Sequence, residues 1–220
     1  GHIEVLKLLL AHEGVEVNSA ADGGETPLHM AVVKGNAEVV KLLLAREGVE
    51  ANQADDDGLT PLYVAAMNGT AEVVKLLLAH EGVEVNPANA DGATPLHAAV
   101  KLGHIEVLKL LLAHEGVEVN PAAHDGFTPL HFAAEEGHAE VVKLLLAREG
   151  VEVNPANADG ATPLHAAVKL GHIEVLKLLL AHEGVEVNSA ADGGETPLHM
   201  AVVKGNAEVV KLLLAREGVE

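Results

Sequence analysis

The chain has 220 residues, 49% of them hydrophobic, with no tryptophan and aromatics at only 1%. Apolar content at that level excludes a disordered chain, and the scarcity of aromatics requires a core of Ala, Val and Leu. With 33 acidic residues against 14 basic ones the net charge is −19, which excludes nucleic acid as a partner, disfavours an anionic membrane surface, and favours basic proteins or cations.

In chain order, the first element is "GHIEVLKLLLAHEG" at 1–14, an amphipathic helix already under way at its first residue. Thr26 is placed to cap the next helix, with Pro27 at the first helical position, where its missing N–H costs nothing. His29 then falls at the third helical position, where a capping box carries Glu or Gln reaching back to the cap. This short helix covers roughly Pro27–Lys34 and stops at Gly35. A second helix begins near Asn36 and reads "AEVVKLLLAR", with Glu38 and Lys41 spaced i,i+3 on its wet side. Val39, Val40, Leu42, Leu43 and Leu44 give it an apolar surface too wide for one neighbour. Gly48 sits where a helix C′ residue is expected, and "VEANQADDDGL" returns the chain to the next Thr-Pro.

The same unit then recurs. Thr-Pro-Leu starts at Thr26, Thr60, Thr94, Thr128, Thr162 and Thr196, always 34 residues apart, and the next residue is His29, His97, His131, His165 or His199, with Tyr63 the exception. The chain therefore divides into a partial unit 1–25, units 26–59, 60–93, 94–127, 128–161 and 162–195, and a partial unit 196–220. A fixed period of this size is the mark of a solenoid.

The stretch "DGATPLHAAVKLGHIEVLKLLL" at 91–112 and "GVEVN" at 82–86 resemble the ankyrin repeat, and the resemblance covers the whole chain. One departure is the period, 34 residues rather than the family's usual 33; the extra residue is placed at the end of the second helix or in the loop after it. The resemblance implies an all-α fold, a single continuous solenoid of stacked antiparallel helix pairs with projecting β-hairpin-like loops. Helices this short are marginal alone, so stability must come from stacking on neighbouring units.

A higher-order repeat lies above the unit. Residues 1–50 are identical to 171–220, an offset of 170, and 81–120 are identical to 149–188. The expectation is a window of a longer tandem array, natural duplication being favoured over design. An isolated chain would leave Ile3, Val5, Leu6 and Leu9 uncovered.

The chemistry-bearing residues read mostly as framework. Cysteine is absent, so there is neither a disulfide framework nor a thiolate metal site, and no apolar run approaches a membrane span. His12, His80, His114 and His182 form a surface column shared with Arg46, Arg148 and Arg216. Packed helices lie roughly 10 Å apart, too far for neighbouring columns to share a zinc with ligands at about 2 Å. Glu16, Glu50, Glu84, Glu118, Glu152 and Glu186 form another column, whose neighbours repel by only about 0.4 kcal/mol at such separations. "ADDDG" at 54–58 lacks the distal Glu of an EF-hand and reads as a turn. With two serines, no Gly-rich phosphate loop and histidines that mostly recur from unit to unit, no catalytic set emerges, and no metal or cofactor is expected.

Positions that vary between units are then the candidates for recognition. They read Glu25, Met30, Val33 and Lys34; Leu59, Val64, Met67 and Asn68; Ala93, Ala98, Lys101 and Leu102; Phe127, Phe132, Glu135 and Glu136. In ankyrin-like proteins such positions line the concave face made by loops and first helices, so the resemblance singles out Leu59, Val64, Met67, Lys101, Leu102, Phe127, Phe132 and Glu135 as a protein-binding face. The two Phe residues either serve as contact anchors or pack on neighbouring loops. Two functions follow: a non-catalytic scaffold binding protein partners, or a structural fibre assembled with further copies of the same array.

Overall fold

A computed structural model describes residues 3–10, 12, 14–216 and 218–219. Among the described residues every regular element is helical. The helices are α1 (Ile3–Leu10), α2 (Pro27–Val33), α3 (Ala37–Leu44), α4 (Pro61–Met67), α5 (Ala71–Leu78), α6 (Pro95–Lys101), α7 (Ile105–Ala113), α8 (Pro129–Glu135), α9 (Ala139–Leu146), α10 (Pro163–Leu170), α11 (Ile173–Ala181), α12 (Pro197–Lys204) and α13 (Ala207–Leu214). They fall into two compact units, residues 1–117 and 118–220. In the first, α2, α4 and α6 stack in one row and α1, α3, α5 and α7 in a second; in the second, α8, α10 and α12 form one row and α9, α11 and α13 the other.

The local starts are written in the sequence. Thr26 adopts an extended backbone, and its Oγ1 accepts from the His29 N–H at 3.3 Å while the Thr26 N–H donates to His29 Nδ1 at 3.1 Å. Histidine thus fills the reciprocal place that Glu or Gln holds in the usual capping box. Each first helix ends just before a glycine in the left-handed region, such as Gly35 at φ 61° and Gly171 at φ 73°, where a Cβ would be strained.

Burial then comes from neighbours. In α5 the adjacent residues Val73 and Val74 are 1% and 0% exposed, as is Leu77 at 0%. Side chains one position apart point about 100° apart on a helix, so burying both requires material on two sides. The stack supplies α3 and α7.

Two polar ladders tie unit to unit. Nδ1 of the Thr-Pro-Leu-His histidine accepts, so the neutral ring keeps its proton on Nε2, and that proton is donated to the carbonyl of the residue just before the next Thr-Pro-Leu: His29 to Leu59 at 2.9 Å, His131 to Ala161 at 3.0 Å, His165 to Glu195 at 3.1 Å. The asparagine ending each "GVEVN"-type stretch makes the other ladder. Asn52 Nδ2 donates to the Gly82 carbonyl at 2.7 Å and its Oδ1 accepts from the Glu84 N–H at 2.9 Å; Asn154 does the same with Gly184 and Glu186.

The return loops close as hairpin-like turns with no strand among the described residues. The Asp55 N–H donates to the Leu59 carbonyl at 3.0 Å, while Asp55 Oδ1 accepts from the N–H groups of Asp57 and Leu59 at 3.0 and 2.8 Å. Successive loops join, Ala90 N–H to the Asp57 carbonyl at 3.2 Å and Asp192 N–H to the Asp159 carbonyl at 2.8 Å.

Two local expectations change. Gly48 is not a helix C′ residue: α3 ends at Leu44 with Ala45 as its cap, and Gly48, at φ 80°, turns the chain three residues later, where Val49 N–H meets the Arg46 carbonyl at 3.3 Å. Glu38 and Lys41 do not close into an ion pair, whereas the same spacing closes in the "IEVLKLLL" helices as Lys109–Glu106 at 2.8 Å and Lys177–Glu174 at 2.6 Å. Val5 and Leu9 are each 53% exposed and Ile3 is half-buried; the Leu6 side chain lies outside the described residues.

Candidate interaction surface

The variable positions lie on the first helices and the loops leading into them, the side not consumed by the second-helix row. In residues 1–117 they expose apolar surface: Met30 is 45% exposed, Val33 44%, Met67 37% and Leu102 50%. Leu59 is half-buried and Lys101 exposed beside them. Val64 is different. At 4% exposed it supports this surface from beneath and does not line it, as does Ala98 at 6%. Both side chains are short and stay within the shelter of the helix pair, whereas methionine at the same repeat position reaches beyond it.

In residues 118–220 the loops and first helices enclose a groove of about 450 Å³. Phe127 and Glu135 line it, Phe132 does not, and all three are half-buried. The Phe127 ring lies 5.2 Å from His131 and 5.3 Å from Phe132, tilted at 41° and 47°. Those separations are the ones aromatic pairs favour, so the two Phe side chains support one another while one face of Phe127 still meets the groove. The packing role is visible in these contacts, and a binding role remains compatible with them.

Six further groove residues belong to positions in later units that the sequence reading ranked for the earlier ones, or to the loops: Asp159, Lys169, Leu170, Asp192, Glu195 and Met200. Glu195 repeats the position of Phe127, Met200 that of Phe132, and Lys169 and Leu170 those of Glu135 and Glu136, so the signal was present as the same period carried forward. Asp159 and Asp192 sit in Gly-rich loops and read as turn residues.

Electrostatics divides the groove. The loop side carries Asp159, Asp192 and Glu195, and among the described residues no cation pairs with them. The helix side carries Glu135 and Lys169, of opposite sign, together with Leu170 at 50% exposure. On the floor, burial pushes the imidazoles of His131 and His165 below the ordinary 6.5, against the pull of the Ala161 and Glu195 carbonyls that accept from them. Burial, with Asp91 nearby, raises the Tyr63 phenol.

Four other histidines make hydrogen-bonding bridges. His104 and His172 donate from Nε2 to the carbonyls of Met67 and Glu135 at 3.0 and 2.8 Å, and His114 and His182 accept from the N–H groups of Gly116 and Gly184 at 3.2 Å. Among the described residues no three His, Asp or Glu side chains converge as metal ligands, and no helix is long and apolar enough to cross a membrane. In the Asp-rich stretch 54–58 the Asp55 carboxylate holds the turn.

Comparison with family models places most of the chain. A model described as ankyrin repeats (3 copies) matches residues 44–123, 81–157 and 130–220, and one described as ankyrin repeats (many copies) matches 8–62. A comparison with curated proteins finds no match.

Proposed function

The chain belongs to the ankyrin-repeat family, and from that premise we propose that it is a non-catalytic scaffold binding protein partners through its loops and first helices. Ankyrin repeats generally mediate protein–protein interaction. The observation that carries the reading to this surface is the exposure of apolar side chains at variable positions in each unit, Met30, Met67 and Leu102 within 1–117 and Leu170 within 118–220, on first helices whose framework residues are buried. Framework positions hold the stack, so they are not available to distinguish partners; the variable ones are. The 34-residue period runs unbroken through residue 117, which supports reading 1–220 as one continuous array.

The test is a paired substitution. M67D/L102D should retain the urea midpoint of the wild-type chain, because both side chains are exposed, and lose the partner that the wild type retains from source extract. K75E, on the exposed outer side of α5, should keep it. Retention by M67D/L102D would move recognition elsewhere.

A second reading, a structural fibre, is supported by the identity of 1–50 with 171–220, since a surface serving one partner tends to diversify. Negative-stain electron microscopy separates the two: discrete short particles favour the scaffold, long uniform filaments the fibre.

A further inference from the structure

We propose that the groove of residues 118–220 takes an extended peptide segment that alternates arginine with aliphatic side chains. This deepens the scaffold reading and rests on it. Three observations combine. The groove, at about 450 Å³, lies within the range of built ligand sites and is large enough for a few side chains of one peptide. Its loop side presents Asp159, Asp192 and Glu195 without a paired cation among the described residues. Its helix side presents Leu170 and Met200, while Phe127, at the repeat position of Glu195, stands on the loop side beside the carboxylates.

An occupant must therefore carry charge on one side and apolar bulk on the other. An extended strand does so by alternation, because successive side chains point to opposite faces. Arginine fits better than lysine. Its planar fork pairs with a carboxylate through two hydrogen bonds, and its guanidinium stacks on an aromatic ring such as Phe127. Lys169 and Glu135, of opposite sign on the helix side, leave that side without net charge, so the acidic loops alone set the orientation. The chain's net charge of −19 would draw such a segment in from a distance.

The experiment uses the full chain and a fluorescein-labelled peptide alternating arginine with leucine, read by anisotropy. Its citrulline and glutamate counterparts and free spermidine are the comparators. The arginine peptide should bind the wild type, weaken about tenfold in D159N/D192N/E195Q, and stay within about twofold in E140Q/E152Q/E208Q, which removes equal charge outside the groove. Thermal midpoints of both triple variants check that each folds. Equal weakening in the two triple variants, or displacement of the peptide by spermidine at the same concentration, would overturn the inference. So would citrulline binding as tightly as arginine; if L170A then weakens both peptides, the groove still docks protein and only the arginine assignment falls. If no peptide responds to L170A or to the groove charges, the scaffold reading loses this surface as well.

Discussion

Residues 27–44 and 197–214 have the same eighteen letters and two different environments. In the first copy, α4 and α5 stack on α2 and α3; in the second, no helix lies on the corresponding side of α12 and α13 among the described residues. Val32 is 0% exposed and its equivalent Val202 is 61%; His29 is 1% exposed and His199 lies open. The other side reverses the order, Val39 half-buried in the first copy and Val209 fully buried in the second, where α10 and α11 both precede. The same N-caps and helices nevertheless form in both, the one shift being that α2 ends at Val33 and α12 one position further on, at Lys204. Local structure therefore follows the unit's own letters, and burial follows what lies beside it, as a one-dimensional array requires.

The sharpest way to break this comparison is a charge at the two equivalent valines. V32D places an unpaired carboxylate where nothing is exposed and should cost about 4 kcal/mol. V202D puts the same group on an open face and should stay within about 0.5 kcal/mol. Urea titration followed by far-UV circular dichroism measures both, and equal losses would mean that the helix pair, not its neighbour, creates the core.

The histidine ladder gives a smaller effect of the same kind. H29A removes a capping bond and the donation to the Leu59 carbonyl, for about 2 kcal/mol, whereas H199A removes the cap alone, for about 1 kcal/mol. Acid tests the ladder at His131 and His165. His131 and His165 have folded pKa values below the unfolded 6.5, so the unfolded chain binds more protons as pH falls through that value. Their contribution is complete above pH 6.5 and is lost as pH drops toward the depressed folded pKa. The urea midpoint should fall between pH 7.5 and pH 5, and H131Q/H165Q should flatten that dependence.

What the sequence made legible has the same boundary. Thr26 and Pro27 mark where α2 begins, Gly35 marks where it stops, and the spacing of Thr-Pro-Leu places every other first helix. The second role of His29, donating to Leu59, was hidden because it joins residues 30 apart, and so was the asparagine ladder, where Asn52 meets Gly82 and Glu84 at separations of 30 and 32 residues. Phe127 was legible as a groove residue because aromatics are rare here, whereas Asp159 and Asp192 looked like ordinary loop residues. Val64 was placed at the right repeat position and the wrong depth, since depth depends on how far a side chain reaches past its neighbours.

The smallest effect sharpens the comparison from the opposite direction. Asn36 and Asn206 cap α3 and α13, and each Oδ1 accepts from a backbone N–H, of Val39 and of Val209, at 3.2 Å. Both bonds stay inside one helical turn and neither involves the next unit. N36A and N206A should each therefore lower stability by about 1 kcal/mol and by the same amount, although their surroundings differ in burial. Amide hydrogen exchange of α3 and α13 in the two variants reads the loss locally, where an array can open in parts. A cap worth markedly more in the first copy would mean that stacking by the next unit reaches into the helix terminus itself, and the division between local and neighbour contributions would have to be redrawn there.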